Sequence, residues 1–344
     1  MTRSLAVARA LSLSAGFAAV SLVAVWLVAC TPSEAPLTPR AARAPYIGTD
    51  SMGVAPAFAL IPIQARPELV ENSAAALSHT QPGVFFTIND SGNDPWLFAL
   101  DTTGADRGVW RVAGASNVDW ESASVGPCAA AADSAARAPN ECVYIGDTGD
   151  NRAERPSRVM YRVSEPKAQQ AGFTGDVTAQ ALIYSYSDGP HDVEAMYVAP
   201  NADTYFITKR RLTDVAGRLR PALVFRLPAD AWGRGVPAVA QLVDSLPIVP
   251  GTAPLRFITD ASLSPDARFL AVRTYAQVFT FATDSVTGRV IHNIPPAVCN
   301  TIGTGQLGGE GITWFGRGSM LLLTAEGRES PMFAVACPMP RSAE

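Results

Sequence analysis

The sequence is short of charge. Asp, Glu, Lys and Arg make up 17% of its 344 residues, against about 25% in an average soluble domain. With 27 Lys and Arg against 31 Asp and Glu, the net charge is −4. No basic field is left to grip a polyanion, which disfavours nucleic-acid binding as the main task. Histidine is scarce, with only His79, His191 and His292, and no Cys-x-x-Cys pair occurs. That leaves little from which to build a zinc centre. The Gly-x-Ser-x-Gly elbow and the Walker loop are missing, and the usual serine-hydrolase and P-loop readings go with them. Helical periodicity is hard to find. What is plentiful is apolar material, 48% of the chain, too much for a disordered protein. Turn formers are plentiful too, with 27 Gly and 27 Pro.

Residues 1–29 read as an export signal. Arg3 and Arg9 give the positive start, and Ala10 to Val28 is apolar or small throughout. The stretch ends Leu27-Val28-Ala29-Cys30, which resembles the bacterial lipobox. The resemblance implies a lipid on Cys30, a membrane anchor there, and a domain in the periplasm or at the cell surface. Thr31 after Cys30 favours the outer membrane of a double-membrane bacterium. Residues 30–55 carry Pro32, Pro36, Pro39 and Pro45 among alanines and read as a flexible tether. Beyond them no run is long and apolar enough to span a bilayer. The rest, 56–344, is the folded domain.

Four cysteines remain, and export makes disulfides the expectation. Of three connectivities, Cys128–Cys142 with Cys299–Cys337 is favoured. The first closes the Ala-rich stretch 129–141; the second ties the end of the chain to an earlier strand.

The domain reads as all-β, with runs such as Val84-Phe85-Phe86-Thr87-Ile88 bounded by turn residues. Five segments share one plan. Each opens on an acid before a short apolar strand: Glu71, Glu121, Glu194, Asp260 and Glu310, spaced by 50, 73, 66 and 50 residues. A second strand follows, ending on Asp90, Asp147, Lys209, Arg273 or Glu326. A third strand and, in places, a fourth complete the unit. Such a repeat is the signature of a β-propeller. Five blades are legible, and 227–258 has room for a sixth. The apolar stretch from Ala57 to Ile61 is expected to supply the outer strand of the last blade and clasp the ring, removing its exposed edges.

The runs Thr87-Ile88-Asn89-Asp90, Tyr144-Ile145-Gly146-Asp147-Thr148-Gly149-Asp150-Asn151, His191-Asp192-Val193-Glu194 and Gly309-Glu310-Gly311-Ile312 resemble a family of exported bacterial propeller proteins. The likeness covers roughly 65–335. It is similar, more distantly, to the phytase-like phosphatases and calcium-dependent lactonases. The resemblance implies a fold more firmly than a reaction.

In a propeller, the start of the first strand and the end of the second lie on one face of the disc. Glu71, Glu121, Glu194, Asp260 and Glu310 are therefore expected near the axis, with Asp90, Asp147, Lys209, Arg273 and Glu326 around them. Eight carboxylates repel unless something compensates. Lys209 and Arg273 can pair with some, others can cap backbone amides and lock the blades, and calcium suits hard oxygen ligands. Asp147, Asp150 and Asn151, on a tight Gly turn, are candidate calcium ligands. His191 is a candidate general base beside Asp192, Trp120 a candidate for stacking on a ligand, and His292 has no acidic neighbour in sequence. The leading reading is a lipid-anchored binding module for a small ligand or an envelope protein. The alternative is a calcium-dependent hydrolase of phosphoesters or lactones. In it His191, Glu194, Lys209 and Arg273 serve the reaction.

Overall fold

The computed structural model describes residues 57–63, 66–128, 140–209, 212–213, 219–248, 257–306, 308–315 and 320–341. The leader, Cys30 and the tether lie outside them. β1 (Phe58–Ile61) comes first. One four-stranded unit follows: β2 (Ala76–Leu77), β3 (Val84–Ile88), β4 (Trp96–Asp101) and β5 (Asp106–Ala113). The next holds β6 (Trp120–Pro127), β7 (Glu141–Asp147), β8 (Arg158–Ser164), the additional β9 (Thr174–Thr178) and β10 (Gln180–Tyr186). A third has β11 (Val193–Val198), β12 (Thr204–Thr208), a small hairpin β13 (Leu212–Thr213) and β14 (Leu219–Arg220), β15 (Ala222–Leu227) and β16 (Ala238–Leu246). The fourth is β17 (Ile258–Leu263), β18 (Phe269–Thr274), β19 (Gln277–Ala282) and β20 (Ala297–Asn300). The fifth is β21 (Ile312–Trp314), β22 (Met320–Leu323) and β23 (Met332–Ala336).

Within each unit the strands run antiparallel from the axis outward. The inner and second strands are buried on both faces, as in β3, β11 and β12. Their near-continuous apolar composition follows from that. Five apolar clusters lie between the sheets, one at each boundary: first with second, second with third, third with fourth, fourth with fifth, and fifth with first. The ring is therefore closed, and the architecture is the expected β-propeller. Among the described residues 227–258 holds no sixth sheet. It supplies a 3₁₀ turn, Ala229–Gly233, and the outer strand β16.

β1 lies antiparallel on β23, with Phe58 opposite Val335, and completes the fifth sheet as expected. Two further pairings join neighbouring blades from outside. β9 runs parallel to β5 of the first blade, and β10 parallel to β16 of the third. The first three blades are thus stitched edge to edge. Both favoured disulfides are present. Cys128–Cys142 links the residue after β6 to β7, and Cys299–Cys337 crosses from the fourth blade to the fifth, with Cα–Cα distances of 5.0 and 5.5 Å.

Candidate functional site

Strand register decides which acids face the axis. In β6 Trp120 opposes Asp147 and Ser122 opposes Gly146, so Glu121 is an extra, unpaired residue. In β11 Val193 opposes Thr208 and Ala195 opposes Ile207, and Glu194 is the extra residue. A bulge of this kind re-aims a side chain. β17 has the same irregularity, but its extra residue is Thr259, and Asp260 stays paired with Arg273.

Asp260 accordingly points elsewhere. It is fully buried. Its Oδ2 accepts the backbone N–H of Ala75 (3.2 Å) and Ile312 (2.8 Å), and its Oδ1 that of Ala261 (2.8 Å). It locks the fourth blade to the first and the fifth. Arg273 is also buried, and its guanidinium donates to the carbonyls of Gly311 (2.7 Å) and Thr324 (2.6 Å) and to Gln306. Burial pushes it down to about 10, opposed by Glu310, Asp260 and Tyr275. A side chain at Gly309 would collide with this guanidinium. Arg273 is a blade fastener and not a cation at the mouth.

Six other carboxyls form a circuit in which each acts on the next. Asp119 is pushed up to about 6, by burial and then by Asp90, with Arg155 opposing. Glu121 is raised well above its usual range by burial, then by Glu194 and Asp90. Glu194 is raised by burial, against Lys209, with Glu310 and Asp192 adding. Glu310 is raised to about 7 by burial, against Lys209, with Glu326 adding. Glu326 stands on the rim, raised by partial desolvation and by Asp90 and Glu71. Lys209 lies inside the circuit, 2.5 Å from Glu194. Burial works against its ammonium, but Glu194, Tyr275 and Glu121 outweigh this and hold it above its ordinary range.

One part of the circuit is tighter than the rest. Asp90, Asp119 and Glu121 each offer an oxygen, and these lie within 4.8 Å of one another. Calcium–oxygen distances of about 2.4 Å allow ligand oxygens up to about 4.8 Å apart. Gly149 makes the arrangement possible, because a Cβ there would lie 2.5 Å from the Asp119 carboxyl carbon and 2.8 Å from Glu121 Cγ.

The remaining candidates are placed as follows. Glu71 is exposed on the rim and accepts a hydrogen bond from Asn93 (2.7 Å). Asp147 pairs with Arg155 (2.6 Å) and Asp150 with Arg158 (2.5 Å); Asn151 is exposed. Two of the three proposed turn ligands thus hold arginines. His191 pairs with Asp188 (2.8 Å) and packs on Tyr186 and Phe225, in the core between the second and third blades. Trp120 is completely buried, its indole donating to the Ser116 carbonyl, so it does not reach the mouth. His292 does meet an acid, since both Asp244 oxygens lie within 2.8 Å.

Sequence reasoning missed Asp119 and Tyr275 as site residues. Asp119 lies just before β6, and the bulge at Glu121 breaks the strand alternation that would have tied the two together. Tyr275 sits in the turn between β18 and β19, where it and Glu310 act on each other; no periodic signal announces it. The run Gly303-Thr304-Gly305-Gln306-Leu307-Gly308 has the glycine spacing of a dinucleotide loop. Gly303 lies in a short 3₁₀ turn, and the next element among the described residues is strand β21 and not a helix, so the glycines open no helix N-terminus there.

The fold and site define a β-propeller with a carboxylate-lined axial mouth. No family model matches the chain, and no curated protein matches it. Among solved structures it is similar to a luciferin-regenerating enzyme, at 10% identity and a TM-score of 0.37 over 83% of this chain and 82% of that one. It is also similar to a gluconolactonase from Xanthomonas campestris, at 13% identity and 0.36 over 83% and 100%. A virginiamycin B lyase from Staphylococcus aureus gives 6% identity and 0.32 over 78% and 66%. Overlaps this low leave the chemistry to the site itself.

Proposed function

We propose that the chain is a ligand-binding propeller that works through its axial mouth and holds a divalent cation there. The carrying observation is the Asp90–Asp119–Glu121 convergence on a common centre. Hard carboxylate oxygens suit calcium. Glu121 adds support. It is 6% exposed, and burial with the Glu194 and Asp90 charges pushes its carboxyl up, against Lys209. A buried carboxylate among like charges is costly unless it is neutralised. From the leader we further propose a lipid on Cys30 that holds the domain at the cell envelope, where its ligand is a small molecule or an envelope protein.

The test is calorimetric titration of the purified protein with calcium, with melting followed in calcium and in chelator. A ligand that binds only the folded state raises its stability. Binding that is lost in Glu121→Gln supports the reading. No heat and no shift in melting would leave the acids as blade locks. Labelling with a fatty-acid analogue, abolished in Cys30→Ala, tests the anchor.

One observation favours a second reading, a calcium-dependent hydrolase of phosphoesters or lactones. Asp119 at about 6 and Glu310 at about 7 titrate near neutrality, where general acids and bases work best. A bound cation would polarise the substrate, while these carboxyls hold or take up the proton. Turnover on an ester and lactone panel that disappears in chelator would establish it.

A further inference from the structure

The mouth contains an ammonium already seated in it. Lys209 Nζ lies 2.5 Å from Glu194 and 6.0 Å from the centre of the Tyr275 ring. Glu121 and Glu310 also act on it. This is a carboxylate and aromatic setting of the kind that holds organic cations. Capacity for a second cation remains. Glu310 is 5% exposed, and its Oε2 has no hydrogen-bond partner. Glu121 is buried too, at 6% exposed. At the rim, Val118 is 57% exposed one residue from Asp119, an apolar surface for a methylene chain.

The cations that lie among these carboxyls are engaged. Arg155 is held by Asp147 and the Gly149 carbonyl. Arg158 is held by Asp150 and the His191 carbonyl. Arg273 is spent on backbone carbonyls, and Lys209 on Glu194. A cleft lined by one sign of charge concentrates ligands of the other and repels its own.

We propose that the organic ligand of this mouth is an aliphatic amine bound in its ammonium form, and that the mouth without a bound metal repels inorganic phosphate. The proposal rests on the reading of the mouth as a ligand site and names the ligand class. The ammonium would donate to the Glu310 and Glu121 carboxyls while its carbon chain passes Val118.

The experiment is calorimetry on the purified protein with four probes: spermidine, tetramethylammonium, inorganic phosphate and calcium. Spermidine is expected to bind, to compete with calcium, and to lose about tenfold in affinity in Glu121→Gln or Glu310→Gln, as loss of one charged hydrogen bond implies. Tetramethylammonium, charged but without N–H donors, is expected to bind about tenfold more weakly. Phosphate is expected to give no heat. If calcium binds and spermidine does not, the amine proposal falls while the mouth stands. If neither binds, both fall. Spermidine binding unchanged in both variants would be general attraction to an acidic surface and overturns the proposal. So does phosphate binding that is lost in Lys209→Met.

Discussion

Replacing Asp260 by Ala removes a carboxylate that three backbone amides share. Two of them, from Ala75 and Ile312, belong to neighbouring blades. The site is fully buried, so no water takes over. Leaving a buried donor unsatisfied costs about 1–3 kcal/mol, so the two interblade amides together imply a loss of about 4 kcal/mol. At roughly 2–4 °C per kcal/mol for a domain of this size, melting should fall by about 10 °C. In Asp260→Asn one oxygen can still accept both interblade amides, while the NH2 meets the Ala261 N–H, so the loss should be smaller than in the alanine variant. Glu121→Gln is the control. It removes a buried charge that sits among like charges, so stability should change by less than about 1 kcal/mol while calcium affinity falls. Urea unfolding with an unchanged slope reads the stability, and calorimetry reads the affinity. The register argument fails if Asp260→Ala costs under about 1 kcal/mol while Glu121→Gln costs more.

Melting in chelator should depend on pH in a direction the carboxyls fix. Unfolded, Asp119 and Glu310 titrate near 3.8 and 4.5; folded, at about 6 and about 7. Between those values the native state holds protons that the unfolded chain has released, so stability falls as pH rises from about 4 to about 7. Saturating calcium should flatten that slope, and a pH series of melting curves checks it. Gly149→Ala pushes a methyl into Asp119 and Glu121 and should weaken calcium binding by at least about tenfold, read by calorimetry. Replacing Cys299 and Cys337 together opens a loop of 38 residues and should cost about 4 kcal/mol. The 14-residue Cys128–Cys142 loop should cost about 3. Urea unfolding of the two double variants compares them.

Much of this architecture was legible because a blade strand buried on both faces must be apolar, and its ends must not be. That contrast marked the inner strands, the charged ends and the β1 clasp. The site was less legible, because one residue of register separates opposite roles. Glu121 and Glu194 are bulge residues, while Asp260 sits one place beyond the bulge at Thr259. In the sequence all three are an acid before a strand. Arg273 closes an apolar strand as Lys209 does. Only packing shows that one is spent on backbone carbonyls and the other faces Glu194. β9 could not be anticipated, since its partner is the outer strand of the preceding blade.

The pairing of Phe58 with Val335 has a consequence for the order of folding. The two residues are 277 positions apart. Bringing ends so distant together costs on the order of 5 kcal/mol in chain entropy if nothing between them is ordered. Once intervening blades have stacked, most of that cost has already been met. The latch should therefore engage late, as a slow, probe-visible phase of refolding. β1 is made first and waits for a partner made nearly last. A chain stopped before residue 332 has nowhere to place its first strand, so ring closure reports that synthesis has run through the final blade.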